Sequence, residues 1–532
     1  MLPTNGATPA PVGGTPHAPT SVGPPPPTTV APPVAQPFPP RFWWLKRIVV
    51  AVLVLLLALL GLRLWWGWEA QRRFDAAIAA YRAAGEPVFP EDFLTEQVPD
   101  EDNAARVYDR ALQKLVLTTA GGVSLDDLLG WPETFRDRPA EVRELVEANA
   151  EVFLLLEQAR TRPTVGWNIV PNAACFDTAT GGVFTTFQAH RNLSRLAYLA
   201  AWHHHEHGDD GRALVIMAAA VAHARAIARQ PLHISQLVAS ACAGLHASLI
   251  EEIIPDLWSG DVPQGEPKPP YQRERVRGVI AELLDDAPWQ EGAVRGFLGE
   301  RALLVEAAGH GLDLSGGAGG PRPLTMGRRL VAWAVNPSYV LEVVAGMRLD
   351  RAIAQAMIEP TYPAARGRLL HERRGTSPWE RWNAPLRLPY DEDISSAPSS
   401  YYRSLARRRL AATALAIRWY AVDHGGRPTT LEELVPGYLP AVPLDPLASD
   451  GSALRYCPAE RRPVLYSVGE NGIDDGGTTH VAPADRQRGH RDDMLFFLAP
   501  PLAGESDDGS AASSGKADAD GQQQENQDRE AQ

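Results

Sequence analysis

The sequence is poor in cysteine. Its 532 residues contain three, Cys175, Cys242 and Cys457, which lie far apart and form no CxxC pair. This spacing excludes a cysteine-rich zinc module and a dense disulfide framework. A single disulfide stays open if the domain lies outside the cytoplasm, and the sequence does not choose the pair.

Motifs of well-known catalytic centres are missing as well. The chain contains no GxSxG, P-loop, GxGxxG or HRDxxxxN motif, and no serine or cysteine in a recognised nucleophile context. These absences favour a non-catalytic protein. They do not exclude an enzyme, but they leave no basis for naming one.

An excess of basic charge is also lacking. The formal net charge is −13 at pH 7, whereas nucleic-acid phosphates are bound by clustered basic surfaces. The sequence has no zinc-finger, RNP or helix-turn-helix signature either. Nucleic acid is therefore not expected as a partner.

Residues 1–40 have no charged side chain and are rich in proline, which predicts a disordered tail. An unbroken apolar run, residues 48–62, follows it. Tryptophans flank this run at Trp43, Trp44, Trp65, Trp66 and Trp68. The run and its flanks reach the roughly 20 residues that span hydrocarbon, with an aromatic belt at each end. We therefore predict a transmembrane anchor over residues 41–68, in preference to a buried helix or a cleaved signal peptide.

Basic residues lie on both sides of the anchor and bear on its orientation. They are Arg41, Lys46 and Arg47 before the run, and Arg63, Arg72 and Arg73 after it. The pattern favours a cytoplasmic N-terminus over the reverse. We expect a single-pass protein of the cell inner membrane, with lipid around the anchor and the bulk of the chain extracytoplasmic.

The middle of the chain has helical periodicity. A core face that steps by three and four is formed by Leu214, Met217, Val221, Ala224 and Ala228. The short "HGDDG" before it predicts an antiparallel helical hairpin. We expect a helical domain at 69–258 and further helices with loop-rich linkers at 259–400. The run "LVAWAV" at 330–335 is far too short to be a second span.

Residues 401–498 are predicted as a small α+β module. A long helix is stopped by His424, Gly425 and Gly426, and "LRYCPA", "PVLYSVG" and "DDMLFFLA" are typical of short strands. Residues 499–532 are polar and acidic, which predicts a disordered tail. The expected fold class is thus mainly α: a transmembrane helix, a helical hairpin or bundle, and this module.

A connected motif runs through three segments of the module: Tyr420–Leu434, Leu439–Pro446 and Tyr466–Gly477. It resembles the C-terminal part of the major pseudopilins of type II secretion. The resemblance implies a loop that binds calcium through acidic side chains and backbone carbonyls. The chain departs from that family, because no "GFTLxE" processing site precedes the anchor and a long region separates anchor from module. Its whole layout is more similar to bacterial single-pass membrane proteins of unassigned function that carry this module as an appendage.

The loop "YSVGENGIDDGG" in the last of these segments is the candidate metal site. Asn471, Asp474 and Asp475 are able to supply three of the about six to eight oxygens that calcium takes. The Asn-Gly and Asp-Gly-Gly sequences also suit a tight hairpin without metal, and the spacing is not that of an EF-hand. Both interpretations stay open, and the sequence favours the turn.

The stretch "WHHHEHG" (202–208) is the other candidate. His203 and His207 lie four residues apart, so on a helix they share a face able to chelate a transition metal. The alternative, which we favour, is a helix C-terminus, where histidines complement the helix dipole and Gly208 follows the last turn. Further histidines, predicted to be structural, are scattered over the helices at His190, His223, His233 and His246.

These patterns lead to one functional prediction with two alternatives. The prediction is a membrane-anchored, non-catalytic protein whose extracytoplasmic helical domain binds protein partners that the sequence does not identify. The alternatives are a component of a secretion or pilus-like assembly, and a metal-dependent enzyme that uses the His203/His207 region.

Overall fold

The structure, a computed structural model, describes residues 42–94, 98–130, 134–172, 175, 182–258, 270–310, 326–375, 390–458, 462–477 and 493–500. Over these residues the fold is mainly α, as predicted. The two predicted tails lie outside the described residues, apart from positions 499 and 500.

Helices account for most of the described residues. In chain order they are α1 (Trp43–Ala83), α2 (Ala104–Gln113), α3 (Leu125–Leu129), α4 (Pro139–Ala148), α5 (Ala150–Arg160), α6 (Val183–Glu206), α7 (Asp210–Ala228), α8 (His233–Ile253), α9 (Pro270–Leu284), α10 (Ala287–His310), α11 (Met326–Ala356), α12 (Tyr362–Gly375) and α13 (Tyr390–His424). Short 3-10 helices lie at Pro90–Phe93, Phe135–Asp137 and Leu431–Leu434.

A small antiparallel sheet follows the last helix. Its strands are β1 (Arg455–Cys457), β2 (Val464–Ser467) and β3 (Met494–Phe497), in the order β1-β2-β3. Tyr466 in the central strand lies opposite Arg455 on one side and Leu495 on the other. The strands predicted from the three short apolar runs are therefore present.

The chain divides into two compact units, one ending at Leu62 and one beginning at Arg63. Helix α1 contributes to both. In the second unit, Ala70, Phe74 and Tyr81 of α1 share a hydrophobic cluster with residues of α10 and α11. That cluster includes Val305, Val340, Val343, Val344 and Met347. The half of α1 that follows the apolar run is thus built into the folded body.

Helices α6, α7 and α8 form the centre of this body. The break between α6 and α7 falls at "HGDDG", as predicted, and the Asp209 side chain accepts a hydrogen bond from the Arg212 amide at 3.0 Å. The predicted core face of α7 is buried, but so is nearly every other residue of the helix. Its many alanines allow neighbouring helices to approach on all sides.

The C-terminal module shares this core. Leu410 and Leu415 of α13, Leu465 of β2 and Phe496 of β3 belong to the same hydrophobic cluster as Leu249 of α8. Apolar residues from before position 258 and from after position 400 belong to this one cluster. The domain boundaries at 258 and 400 therefore stay predictions. No disulfide joins any two of Cys175, Cys242 and Cys457.

A buried arginine joins α13 to the rest of the body. The Arg408 guanidinium donates to the Leu283 carbonyl at 2.9 Å and to the Asp286 carboxylate at 3.0 Å, and it stacks over Trp289. Its neighbour Arg409 also binds Asp286, at 2.7 Å, but its side chain is 20% exposed against 1% for Arg408. The ion pair of Arg408 is therefore much the better shielded from water.

We expect Arg408→Met to lower the free energy of unfolding by about 2 kcal/mol, because the buried Leu283 carbonyl and one oxygen of Asp286 lose their hydrogen-bond donor. Arg409→Met, the matched control, should cost about 1 kcal/mol or less, since water screens that pair. Urea denaturation of the two variants in detergent, followed by circular dichroism, measures both. Equal losses would show that burial does not set the strength of this network.

Candidate functional site

The apolar run of α1 is fully exposed. Every residue from 48 to 62 is solvent-accessible in the structure, and none of the most apolar 18-residue window of α1 is buried. At about 1.5 Å per residue, the stretch from Trp43 to Leu62 is about 30 Å long, the thickness of a bilayer's hydrocarbon. Such a surface is far larger than the apolar patches that soluble monomers expose.

Among the described residues, three further helices are long and apolar enough to cross a membrane by composition: α7, α8 and residues 329–356 of α11. The protein itself covers much of their apolar surface. The buried share of the best window is 83% in α7, 56% in α8 and 39% in α11, against 0% in α1. Of these four helices, α1 is thus the one whose best window has no buried residue in the described part of the chain.

Tryptophans lie at both ends of the run. Trp43 and Trp44 are exposed at one end, and Trp65 and Trp68 at the other. The Arg47 guanidinium lies 3.7 Å from the centre of the Trp43 ring, and that of Arg72 lies 5.9 Å from the Trp68 ring. Indole rings beside cationic side chains are typical of the polar boundary of a bilayer.

The glycine-rich loop of the C-terminal module turns at Gly469–Gly472, where the Gly472 amide donates to the Gly469 carbonyl at 3.3 Å. The Asp474 carboxylate accepts hydrogen bonds from Arg455 Nε at 2.7 Å, Tyr466 OH at 3.1 Å and the Gly476 amide at 2.9 Å. The Asn471 side-chain oxygen accepts from the Ile473 amide at 3.0 Å. These oxygens are already used within the protein, and a cation would compete with Arg455 for Asp474.

Two further aspartates lie at this loop, and the sequence analysis did not single them out. Asp493 accepts from the Gly477 amide at 2.8 Å, and burial, reinforced by Asp475 and Asp474, raises its pKa. Asp445 is fully buried, and its carboxylate accepts from Ser467 Oγ at 2.7 Å and from the amides of Val468 and Leu447, both at 2.9 Å. Asp445 lies within the "VPLDP" motif, but its contacts lie up to 23 residues away.

We expect Asp445→Ala to destabilise the module by about 3 kcal/mol, because it leaves the buried amides of Val468 and Leu447 without an acceptor. Asp450→Ala, which removes an exposed aspartate five residues away, should change stability little. Thermal unfolding of both variants, followed by circular dichroism, tests this. A small effect at Asp445 would mean that water replaces the carboxylate.

Calcium binding at the loop stays a prediction, and calcium titration separates it from the metal-free turn. The calcium interpretation predicts that millimolar calcium raises the unfolding temperature of the wild-type chain. Asp474→Asn with Asp475→Asn should abolish the shift, whereas Asp450→Asn should retain it. No shift in the wild type means that the loop is a turn only.

The His203/His207 pair lies at the end of α6. The two rings are 4.2 Å apart, on one face as predicted, and His207 Nδ1 lies 2.7 Å from the His203 carbonyl oxygen. Helix α6 ends at Glu206, and Gly208 has a φ of 76°. Burial, with His207 nearby, lowers the pKa of His203 to about 4. Within the described part of the chain, no group of three or more histidine, cysteine, aspartate or glutamate side chains is arranged to hold a metal.

Three of the scattered histidines meet in the core, which the sequence analysis missed. His190 of α6 and His223 of α7 are fully buried, with 2.9 Å between Nδ1 and Nε2. His246 of α8 is fully buried near them, and the rings of Tyr108 and Trp167 pack against the pair. Burial lowers the pKa of His190 and His246 to about 4, and that of His223 well below its usual value. All three are therefore neutral at physiological pH.

This cluster couples stability to pH. The pKa of His246 is about 4 in the folded chain and about 6.5 when unfolded. Between these values the unfolded chain binds more protons, so stability is complete above about pH 6.5 and falls as the pH decreases. His246 contributes about 2 kcal/mol of this loss by about pH 5.

We therefore expect His246→Leu to reduce the stability lost between about pH 7 and about pH 5 by about 2 kcal/mol. The matched control is His371→Leu on the exposed surface of α12, which should leave the loss unchanged. Urea denaturation midpoints at the two pH values measure the effect. An identical pH dependence in wild type and His246→Leu would contradict the burial of a neutral imidazole.

No protein-family model, curated protein or solved structure matches the chain. The resemblance of residues 401–498 to the major pseudopilins therefore rests on the motif alone.

Proposed function

We propose that this protein is a single-pass membrane protein of the cell inner membrane, without catalytic activity, whose extracytoplasmic helical body binds other proteins. The observation that carries the proposal is the apolar run of α1, with none of its best 18-residue window covered by protein. Lipid is the environment that suits such a surface. The helix then enters the folded body through Ala70, Phe74 and Tyr81, which ties the body to the anchor.

The reactive groups of the body support a non-catalytic role. His190, His223 and His246 are fully buried, so no substrate reaches them without unfolding. Burial raises the pKa of the Cys242 thiol to about 11, which keeps it protonated and poorly nucleophilic. These histidines and this thiol thus belong to the core of the protein.

Two alternatives remain as competing proposals. Membership of a secretion or pilus-like assembly is supported by the motif in residues 401–498, and a metal-dependent enzyme is supported by the pair His203 and His207. Crosslinking in intact cells tests membership of an assembly. Recovery of a secretion ATPase or an outer-membrane pore favours it. Zinc analysis of the purified chain tests the metal-dependent enzyme. Stoichiometric zinc in the wild type that is absent from His203→Ala favours the enzyme.

The anchor itself is tested by charge insertion. Leu55→Arg with Leu56→Arg places two charges in the middle of the apolar run, at about 3 kcal/mol each. We expect this variant to leave the membrane fraction on alkaline extraction, while the wild type stays. Leu154→Arg, at an equally exposed leucine of α5, is the matched control and should behave as the wild type. A wild-type chain found in the detergent-free supernatant would contradict the anchor.

A further inference from the structure

The first turns of α11 carry apolar side chains on the surface of the body. Met326, Leu330, Val331 and Trp333, together called the α11 patch, are between 45% and 75% exposed. Met326, Leu330 and Trp333 follow at intervals of four and three, which places them on one face of the helix. The apolar run at residues 330–335 is too short to span a membrane. Its exposed side chains therefore need another apolar environment.

The patch lies at the point where the apolar run of α1 ends. Arg63 Nε donates to the Trp333 carbonyl at 2.9 Å, and the Arg63 guanidinium lies 4.4 Å from the centre of the Trp333 ring. Four residues further along both helices, Pro337 comes close to Gly67, where a Cβ would lie 3.9 Å from its ring. The patch therefore lies beside Arg63, the residue that directly follows the apolar run.

The two helices run in the same direction. Trp333 meets Arg63 and Pro337 meets Gly67, and later residues of both helices share one hydrophobic cluster. Helix α11 begins about seven residues before Trp333. At about 1.5 Å per residue, these residues form a segment about 10 Å long.

The rest of α11 limits how deep this segment goes. Val343 and Met347 are fully buried in the body, so the helix does not continue through a membrane, although residues 329–356 are long enough by composition. A segment with about 10 Å of exposed apolar surface matches the headgroup–acyl boundary. Trp333 suits that boundary, and the exposed Arg329 is able to pair with the phosphate of a lipid headgroup beside it.

We propose that the α11 patch inserts into the headgroup–acyl boundary of the bilayer leaflet at the Arg63 end of the anchor. The occupant of the patch is membrane lipid with anionic headgroups. This rests on the proposed anchor and adds a second membrane contact to it. A body held by a single spanning helix can rotate and tilt on the membrane. A second contact through the α11 patch would restrict that motion, so that one face of the body stays turned to the membrane.

Spin labelling tests the proposal on the full-length chain. Leu330→Cys carries the label, and Leu154→Cys on α5 is the matched control, because the two leucines are 59% and 60% exposed. Cys175 and Cys457 are replaced by alanine, and the buried Cys242 is retained. Each variant is reconstituted into vesicles of phosphatidylcholine with phosphatidylglycerol. Collision of the label with oxygen, which concentrates in lipid, is compared with collision with a water-soluble nickel chelate.

We expect the oxygen-to-nickel ratio to be several-fold higher at position 330 than at position 154. A ratio at 330 equal to that at 154 would place the patch in water and overturn the proposal. Low collision with both reagents would mean that a second copy or another protein covers the patch, which also overturns it. Flotation of the same vesicles reports the anchor separately: a chain that floats without a high ratio at 330 has the anchor but not the inserted patch.

Discussion

The exposed apolar surface of helix α1 is the constraint on which the rest of the structure depends. Residues 48–62 of α1 expose a continuous apolar surface, while the next turns of the same helix are built into the body through Ala70, Phe74 and Tyr81. A soluble chain would bury the first part as well, because each exposed leucine costs free energy in water. Lipid in place of water would remove this cost, and this is the basis of the membrane placement that we propose.

The body uses small and neutral groups to pack helices around a common centre. Helix α7 is buried on nearly all faces because alanine dominates it, and His190 and His223 share one hydrogen bond there. Burial keeps these imidazoles neutral at physiological pH and makes them resist protonation. The helical core and the C-terminal sheet share their apolar contacts, which couples the glycine-rich loop to the rest of the body.

Local patterns in the sequence predicted much of the fold. The apolar run, the break at "HGDDG" and the short strands each depend on neighbouring residues, and the structure has them at the expected places. The contacts that the sequence could not predict are long-range. His190 and His223 are 33 residues apart, and Arg63 and Trp333 are 270 apart. Periodicity predicts which residues face inward, but not which buried residues meet, and for that reason Asp445 and the α11 patch were not recognised.

Hydrogen–deuterium exchange of the full-length chain in lipid nanodiscs tests the central claim most directly. If α1 crosses the bilayer, the amides of residues 48–62 are shielded from water and should exchange far more slowly than those of the short 3-10 helix Leu431–Leu434 at the surface of the module. Exchange in residues 48–62 as fast as in that short helix would show that the apolar run lies in water, and the account of this protein as a membrane-anchored body would be wrong.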